Sequence, residues 1–161
     1  MMPPLIYSSD QNKSFAEELA SFIGTTSCDA RQMTQHCHLY LSDSGLSFFH
    51  PEARSTKKFK IDFNSGTTRW RINRADHEKL IKKALGKHEA PLNILDCTAG
   101  MLQDTLLFLS LGHKVTAVEQ SKILFCLLND AINRSNDQEI FKALTLINAN
   151  ACSYIAKAEK F

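Results

Sequence analysis

Between residues 92 and 149 the chain repeats one pattern, and this pattern restricts the possible folds more than any other feature. LNILD (92–96) is a short apolar run ending in an acid, and CTAGM (97–101) is a turn. Residues 102–111 have a helical period that Gly112 ends. KVTAVE (114–119) is a second apolar run, again ending in an acid. Ser121 can cap a helix running to about Arg134, with Ile123, Leu124, Leu127, Leu128 and Ala131 on its buried face. LTLINA (144–149) is a third strand. Near-continuous apolar strands separated by helices predict an α/β unit. Its sheet should be parallel, covered on both faces and joined by right-handed crossovers.

The first 88 residues read differently, as a small α+β unit. LIYSS (5–9) is a strand, and 14–23 is a helix with Phe15, Leu19 and Phe22 on one face and Gly24 at its end. Residues 38–50 form two strands around Asp43-Ser44-Gly45, and KFKIDF (58–63) alternates as a further strand. SGTTRWR (65–71) is a loop. Residues 76–85 are amphipathic, with Leu80, Ile81, Ala84 and Leu85 on one stripe closed by Gly86. KHEAPLN (87–93) is the boundary. The expected organisation is therefore an amino-terminal unit over 1–88 and an α/β unit over 89–161.

Composition decides class and partner. In 161 residues, 43% hydrophobic and 22% charged, there is enough apolar material for a core, which argues against disorder. The longest apolar runs are too short to span a bilayer. MMPPLIYSSD lacks the basic start of a secretion signal, so a cytoplasmic location is expected. Five cysteines without a CxxC pair read as free thiols. In His36-Cys37-His38 a strand would send the histidines to one face and the cysteine to the other, which makes no tetrahedral metal site. Charge is segregated. Residues 54–88 hold eleven Lys/Arg against three acids, a net +8, while the rest of the chain carries −6. Such a block suits an anionic partner, most often nucleic acid, or else guards a helix face and a strand edge.

In doubly wound sheets ligands sit at the carboxyl ends of the strands. Those ends carry Asp96, Glu119 (23 residues later) and Asn150, with Gly100 in the first turn. An acid at the second strand end can accept both hydroxyls of a ribose, and an amide can read an adenine edge. A single glycine in D-C-T-A-G-M-L-Q-D makes a poor pyrophosphate cradle. A nucleoside without phosphates fits better, and S-adenosylmethionine (SAM) is the expected ligand; the plain alternative is an ordinary strand-to-helix turn.

LDCTAGMLQDTLLFLSLGHKVTAVEQS (95–121) resembles the cofactor motif of the ribosomal RNA small subunit methyltransferase J family. KIDFNSGTTRWR (60–71) is similar to that family's VDFxxGxxxHRR stretch, and LINANA (146–151) to its segment after the third strand. The resemblance covers about 59–151. It implies a Rossmann-like class I methyltransferase sheet, here its first three strands, and SAM-dependent methylation of a guanine N2 in small-subunit ribosomal RNA. It places cofactor-binding roles on Asp96, Gly100, Gln103, Asp104, Glu119, Gln120, Asn150 and Ala151. RNA-binding roles fall on Arg69, Trp70, Arg71 and Arg74, where the tryptophan could stack on a base between phosphate-holding arginines. The chain departs from the family at Leu102, where the family has a second glycine, and at Gln103 and Gln120, where it has arginines.

The family's fourth strand carries an Asp-Pro-x-Phe-Pro motif that holds the target amine, and no D-P-x-[FY] occurs here. No catalytic residue is therefore assigned. A truncated, catalytically impaired form is expected, with the first strand left as an apolar edge open to a completing chain. The rival from another class is a non-catalytic RNA-binding or ribosome-assembly protein, and a nicotinamide-dependent reductase is disfavoured by the missing GxGxxG.

Overall fold

The computed structural model describes residues 2–32, 35–54, 56–64, 66 and 77–157. By compactness the chain falls into two units, Met1–Ile61 with Cys126–Arg134, and Asp62–Phe125 with Ser135–Phe161.

The first unit holds a mixed sheet of five strands: β1 (Leu5–Tyr7), β2 (Ser27–Asp29), β3 (His38–Ser42), β4 (Gly45–Phe49) and β5 (Lys58–Phe59). Their order is β2-β1-β3-β4-β5. β1 lies parallel to both β2 and β3, whereas β3–β4 and β4–β5 are antiparallel. Leu5, Ile6, Leu39 and Leu46 are fully buried, and Cys126, Leu127, Leu128 and Ala131 join the same core.

Helix α1 (Lys13–Ile23) buries Ala16, Ala20 and Ile23, not the expected aromatic stripe. Phe15 and Phe22 are 48% and 40% exposed. Small residues at i and i+4 let the helix backbone come close to β1, which two phenylalanines would prevent. Gly24, at φ 87°, ends the helix as expected by donating its N–H to the Ala20 carbonyl.

β5 is shorter than the expected 58–63 run. The chain leaves the ladder after Phe59, and the Ile61 carbonyl accepts a 2.7 Å bond from Arg134 Nη2 instead. Arg134 also pairs with Asp130 at 2.8 Å. This pair sits against the β3–β4 turn so closely that a Cβ on Gly45 would lie 2.3 Å from Arg134 Nε. With φ at 108°, that position requires glycine on two counts. His38, from the His-Cys-His run, is buried, stacks on Phe49 at 4.8 Å and meets the His36 carbonyl at 2.7 Å.

The second unit contains α2 (Lys79–Leu85), β6 (Asn93–Asp96), α3 (Gln103–Ser110), β7 (Lys114–Glu119), α5 (Gln138–Phe141), β8 (Leu144–Asn148) and α6 (Ala151–Lys157). Helix α4 (Lys122–Asn133) begins here, and its later turns belong to the first unit. The strands run parallel in the order β6-β7-β8. Residues 114–119 form the strand over the span expected, and Ser121 caps α4 by accepting the Leu124 N–H.

Coverage of this sheet differs from the expectation. Val115, Ala117 and Val118 of β7 are buried, but no residue of β6 or β8 is. Within this three-stranded sheet β7 alone is flanked on both sides among the described strands, so only its side chains are enclosed by neighbouring strands. Helix α2 is shorter than expected and buries nothing; Leu80 is 82% exposed. Residues 67–76 lie outside the described residues, so the start of that expected helix and most of the 65–71 loop do too. Helices α5 and α6 were not anticipated. The signal for α6 was Asn150, whose Oδ1 accepts the Ser153 N–H at 3.1 Å as a helix cap does.

Candidate functional site: a crevice at the strand ends

The carboxyl end of β6 is organised by Asp96. One carboxylate oxygen accepts the Thr98 N–H at 3.0 Å, and the other accepts the Thr105 hydroxyl at 2.6 Å. Thr105 is fully buried in the first turns of α3. The acid therefore ties the strand to both the turn and the helix. Across the turn, Ala99 N–H donates to the Val118 carbonyl at 3.1 Å, which fixes the loop to β7.

Two left-handed residues follow, with one residue between them. Gly100 has φ 50°, and Leu102 has φ 58°, the one non-glycine residue with positive φ among the described residues. The left-handed region costs a branched side chain about 1–2 kcal/mol. Leu102 offsets that cost by burying its side chain completely. The position the family fills with glycine is thus held here by core packing.

At the ends of β7 and β8, Glu119 Oε1 accepts the Ser121 N–H at 2.7 Å. Asn148 Nδ2 donates to the Glu119 carbonyl at 2.8 Å, and Asn150 Nδ2 to Gln120 Oε1 at 3.1 Å. These side-chain bonds hold the two strand ends side by side.

Two clefts open at these ends and share Thr98 and Gly100. The smaller, about 260 Å³, is lined by Asp96, Thr98, Ala99, Gly100, Met101, Gln103 and Asp104. The larger, about 380 Å³, is lined by Cys97, Thr98, Gly100, Val118, Glu119, Gln120, Ala149, Asn150, Ala151 and Cys152. All eight expected cofactor residues line one or the other. A third groove, about 720 Å³, lies toward the opposite ends of the strands, among Asn93, Lys114 and Lys142. It has neither a glycine turn nor strand-end acids, so volume alone does not mark the site.

Arg69, Trp70, Arg71 and Arg74 lie outside the described residues. Of the basic block, Lys58 sits over the Tyr40 ring at 4.9 Å, and Lys60 donates to the Ser44 carbonyl. Lys79, Lys82 and Lys83 are exposed on α2. No group of three or more metal-ligating side chains occurs among the described residues. No described helix is long and apolar enough to cross a membrane. Sequence reasoning missed Thr105 and Cys152 as parts of this site. Thr105 was detectable as a hydroxyl beside Leu106 and Leu109 on the buried face of α3.

Residues 26–161 match the family model for SAM-dependent methyltransferases. The chain belongs to the SAM-dependent methyltransferase family. Similar curated members are the Ribosomal RNA small subunit methyltransferase J proteins of Francisella tularensis subsp. novicida and Francisella philomiragia. They are 33% identical over 131 and 126 residues, which is 78% and 75% of this chain. These matches bear out the resemblance read from the motifs. They cover 53% and 51% of the two relatives, so the chain spans about half the length of the curated proteins it matches. The fold is also similar to the crystal structure of a SAM-dependent methyltransferase from Neisseria gonorrhoeae. The TM-score is 0.70 at 22% identity, covering 95% of this chain and 62% of that one. The parallel sheet of the second unit is accordingly Rossmann-like and of the class I methyltransferase type, and the family's cofactor is SAM.

Proposed function

We propose that the strand-end crevice binds SAM. We further propose that the protein methylates guanine N2 in small-subunit ribosomal RNA, in the cytoplasm. The observation that carries the first part is that Glu119 and the Gly100 turn line one cleft, while Asp96 and Asp104 line a second cleft sharing Gly100. SAM is a nucleoside joined to a charged amino acid, so it needs two such compartments, one for each part.

Glu119 would accept the ribose hydroxyls, with Gln120, Asn150 and Ala151 around the adenine. The Gly100 backbone, Gln103 and Asp104 would face the amino-acid portion. Asp96, which lines the smaller cleft, also holds the turn in shape by accepting from Thr98 and Thr105. The bound cofactor supplies an electrophilic methyl group on a sulfonium centre. This chain's residues bind and orient it, and transfer then depends on alignment of an amine with that methyl. The RNA assignment is supported by the names of the curated relatives and by the +8 block over 54–88. Arg69, Trp70, Arg71 and Arg74 are its proposed contacts.

Calorimetric titration with S-adenosylhomocysteine tests this reading. Saturable binding is expected, weakened about 10- to 100-fold by Glu119→Ala, because hydrogen bonds to a charged acceptor are worth about 1.5–3 kcal/mol. Absence of saturable heat contradicts it. Salt-dependent RNA binding without any such heat would instead favour a non-catalytic RNA-binding protein.

A further inference from the structure

The five thiols of this chain divide unevenly in kind. Cys28, Cys37 and Cys126 belong to the first unit, and Cys97 and Cys152 to the second. Those last two come from segments far apart in sequence, the turn after β6 and the first turn of α6, yet both line the 380 Å³ cleft with Gly100 and Glu119. Cys152 is exposed, Cys97 is half-buried and Cys126 is buried. All the thiols of the second unit therefore stand in the cleft assigned above to the nucleoside.

We propose that Cys97 and Cys152 make this cleft a site of reversible thiol modification, in which a mixed disulfide with a low-molecular-weight thiol excludes the cofactor. This rests on the SAM-binding reading and adds a control to the same site. The thiolate is the reacting form, and access decides which thiol reacts first, so Cys152 leads. Its sulfur attacks one sulfur of a small disulfide such as glutathione disulfide. The S–S bond of the reagent breaks as a new S–S bond to Cys152 Sγ forms. The displaced half leaves as a thiolate and takes up the proton that Cys152 gave up. One protein thiol is oxidised and one half of the reagent is reduced, with no other oxidant. A tripeptide adduct has bulk comparable with a nucleoside and fills the volume beside Glu119. Excess reduced thiol reverses the exchange. Cys28 provides an internal reference outside the cleft, where burial and the neighbouring Asp29 push its thiol pKa up.

The test uses the full chain, glutathione disulfide as probe, and peptide mass mapping over time. Cys152 should be modified first. S-adenosylhomocysteine at about 100 times its Kd should slow modification of Cys152 and Cys97 by about 100-fold, leaving Cys28 and Cys37 unchanged. The modified protein should lose S-adenosylhomocysteine binding, and dithiothreitol should restore it. A Cys97→Ser/Cys152→Ser variant should bind equally before and after exposure. If the homologue binds but leaves the Cys152 rate unchanged, or if the modified protein binds with undiminished affinity, the proposal is overturned. If the unmodified protein binds no homologue, the SAM reading fails separately. The shared thiol cleft is then judged by whether a glutathionyl group on Cys152 slows N-ethylmaleimide at Cys97 relative to Cys152→Ser. Unchanged Cys97 reactivity removes that as well.

Discussion

The two sheets of this molecule reach different degrees of enclosure, and the one with the shorter strands is the more enclosed. β1 and β3 are internal strands of a five-stranded sheet, and Leu5, Ile6 and Leu39 are fully buried. In the parallel sheet only β7 has a neighbour on each side, and β6 and β8 stay half-buried. Enclosure thus follows position in the ladder rather than residue type, since Leu95 is as apolar as Leu39. Stability should concentrate in the mixed sheet, whereas the proposed ligand crevice belongs to the less enclosed one. Binding sites are commonly drawn from the less stable parts of a fold.

The largest expected effect separates the sheets directly. Leu39→Ala should cost about 2–5 kcal/mol in urea unfolding, as full truncations in a packed core do. Leu95→Ala, on a half-buried strand, should cost about 1 kcal/mol. Equal losses would remove the contrast. Next, Gly45→Ala should cost about 2–4 kcal/mol, combining overpacking against Arg134 with a positive φ, and Arg134→Ala should relieve part of it in the double variant.

In the parallel sheet, Thr105→Val should cost about 1–3 kcal/mol, because it strips a hydrogen bond from Asp96 at a buried position. Thr105→Ser should restore most of that loss.

A pH effect is also localised there. His113 is buried, accepts the Leu92 N–H through Nδ1 at 3.2 Å and meets the His88 ring at 4.9 Å. Burial first, and the His88 charge second, hold its pKa below the ordinary 6.5. The fold therefore prefers neutral His113. Its contribution is complete above about pH 6.5 and is lost as pH falls from there through the folded value. His113→Asn should flatten the stability profile in that window, as measured by denaturant midpoints at a series of pH values.

The smallest effect concerns α1. Phe15→Ser should change stability by no more than about 0.5 kcal/mol, because that side chain faces solvent. A loss typical of a core phenylalanine would restore the aromatic stripe as the buried face.

These contrasts show what could be read in the sequence. The first two strands of the parallel sheet were legible because their apolar runs end in acids and are punctuated by Gly100 and Gly112, and the third from its apolar run alone. The span 114–119 is a central strand whose every neighbour reinforces that pattern. The α1 face was misjudged because its spacing offers two stripes, 15–19–22 and 16–20–23, and only packing against β1 selects the one with small residues. Enclosure of β6 and β8 was overestimated because apolarity was read as burial, without the neighbours that burial requires. At the crevice, residue types at strand ends pointed to Asp96, Glu119 and Asn150, and all three line its clefts. That Asp96 also accepts from Thr105 depends on the pitch of α3, which composition does not encode. That Cys97 and Cys152 line one cleft depends on a helix, α6, whose only sequence signal is the Asn150 cap.

Hydrogen–deuterium exchange of the full chain, with and without S-adenosylhomocysteine, tests the central claim most directly. The account predicts slowed exchange confined to three segments: 96–104, 119–121 and 148–152. The amides of β1 and β3 should be unchanged. Protection elsewhere, above all around the groove at Asn93 and Lys142, or no protection at saturating ligand, would contradict it.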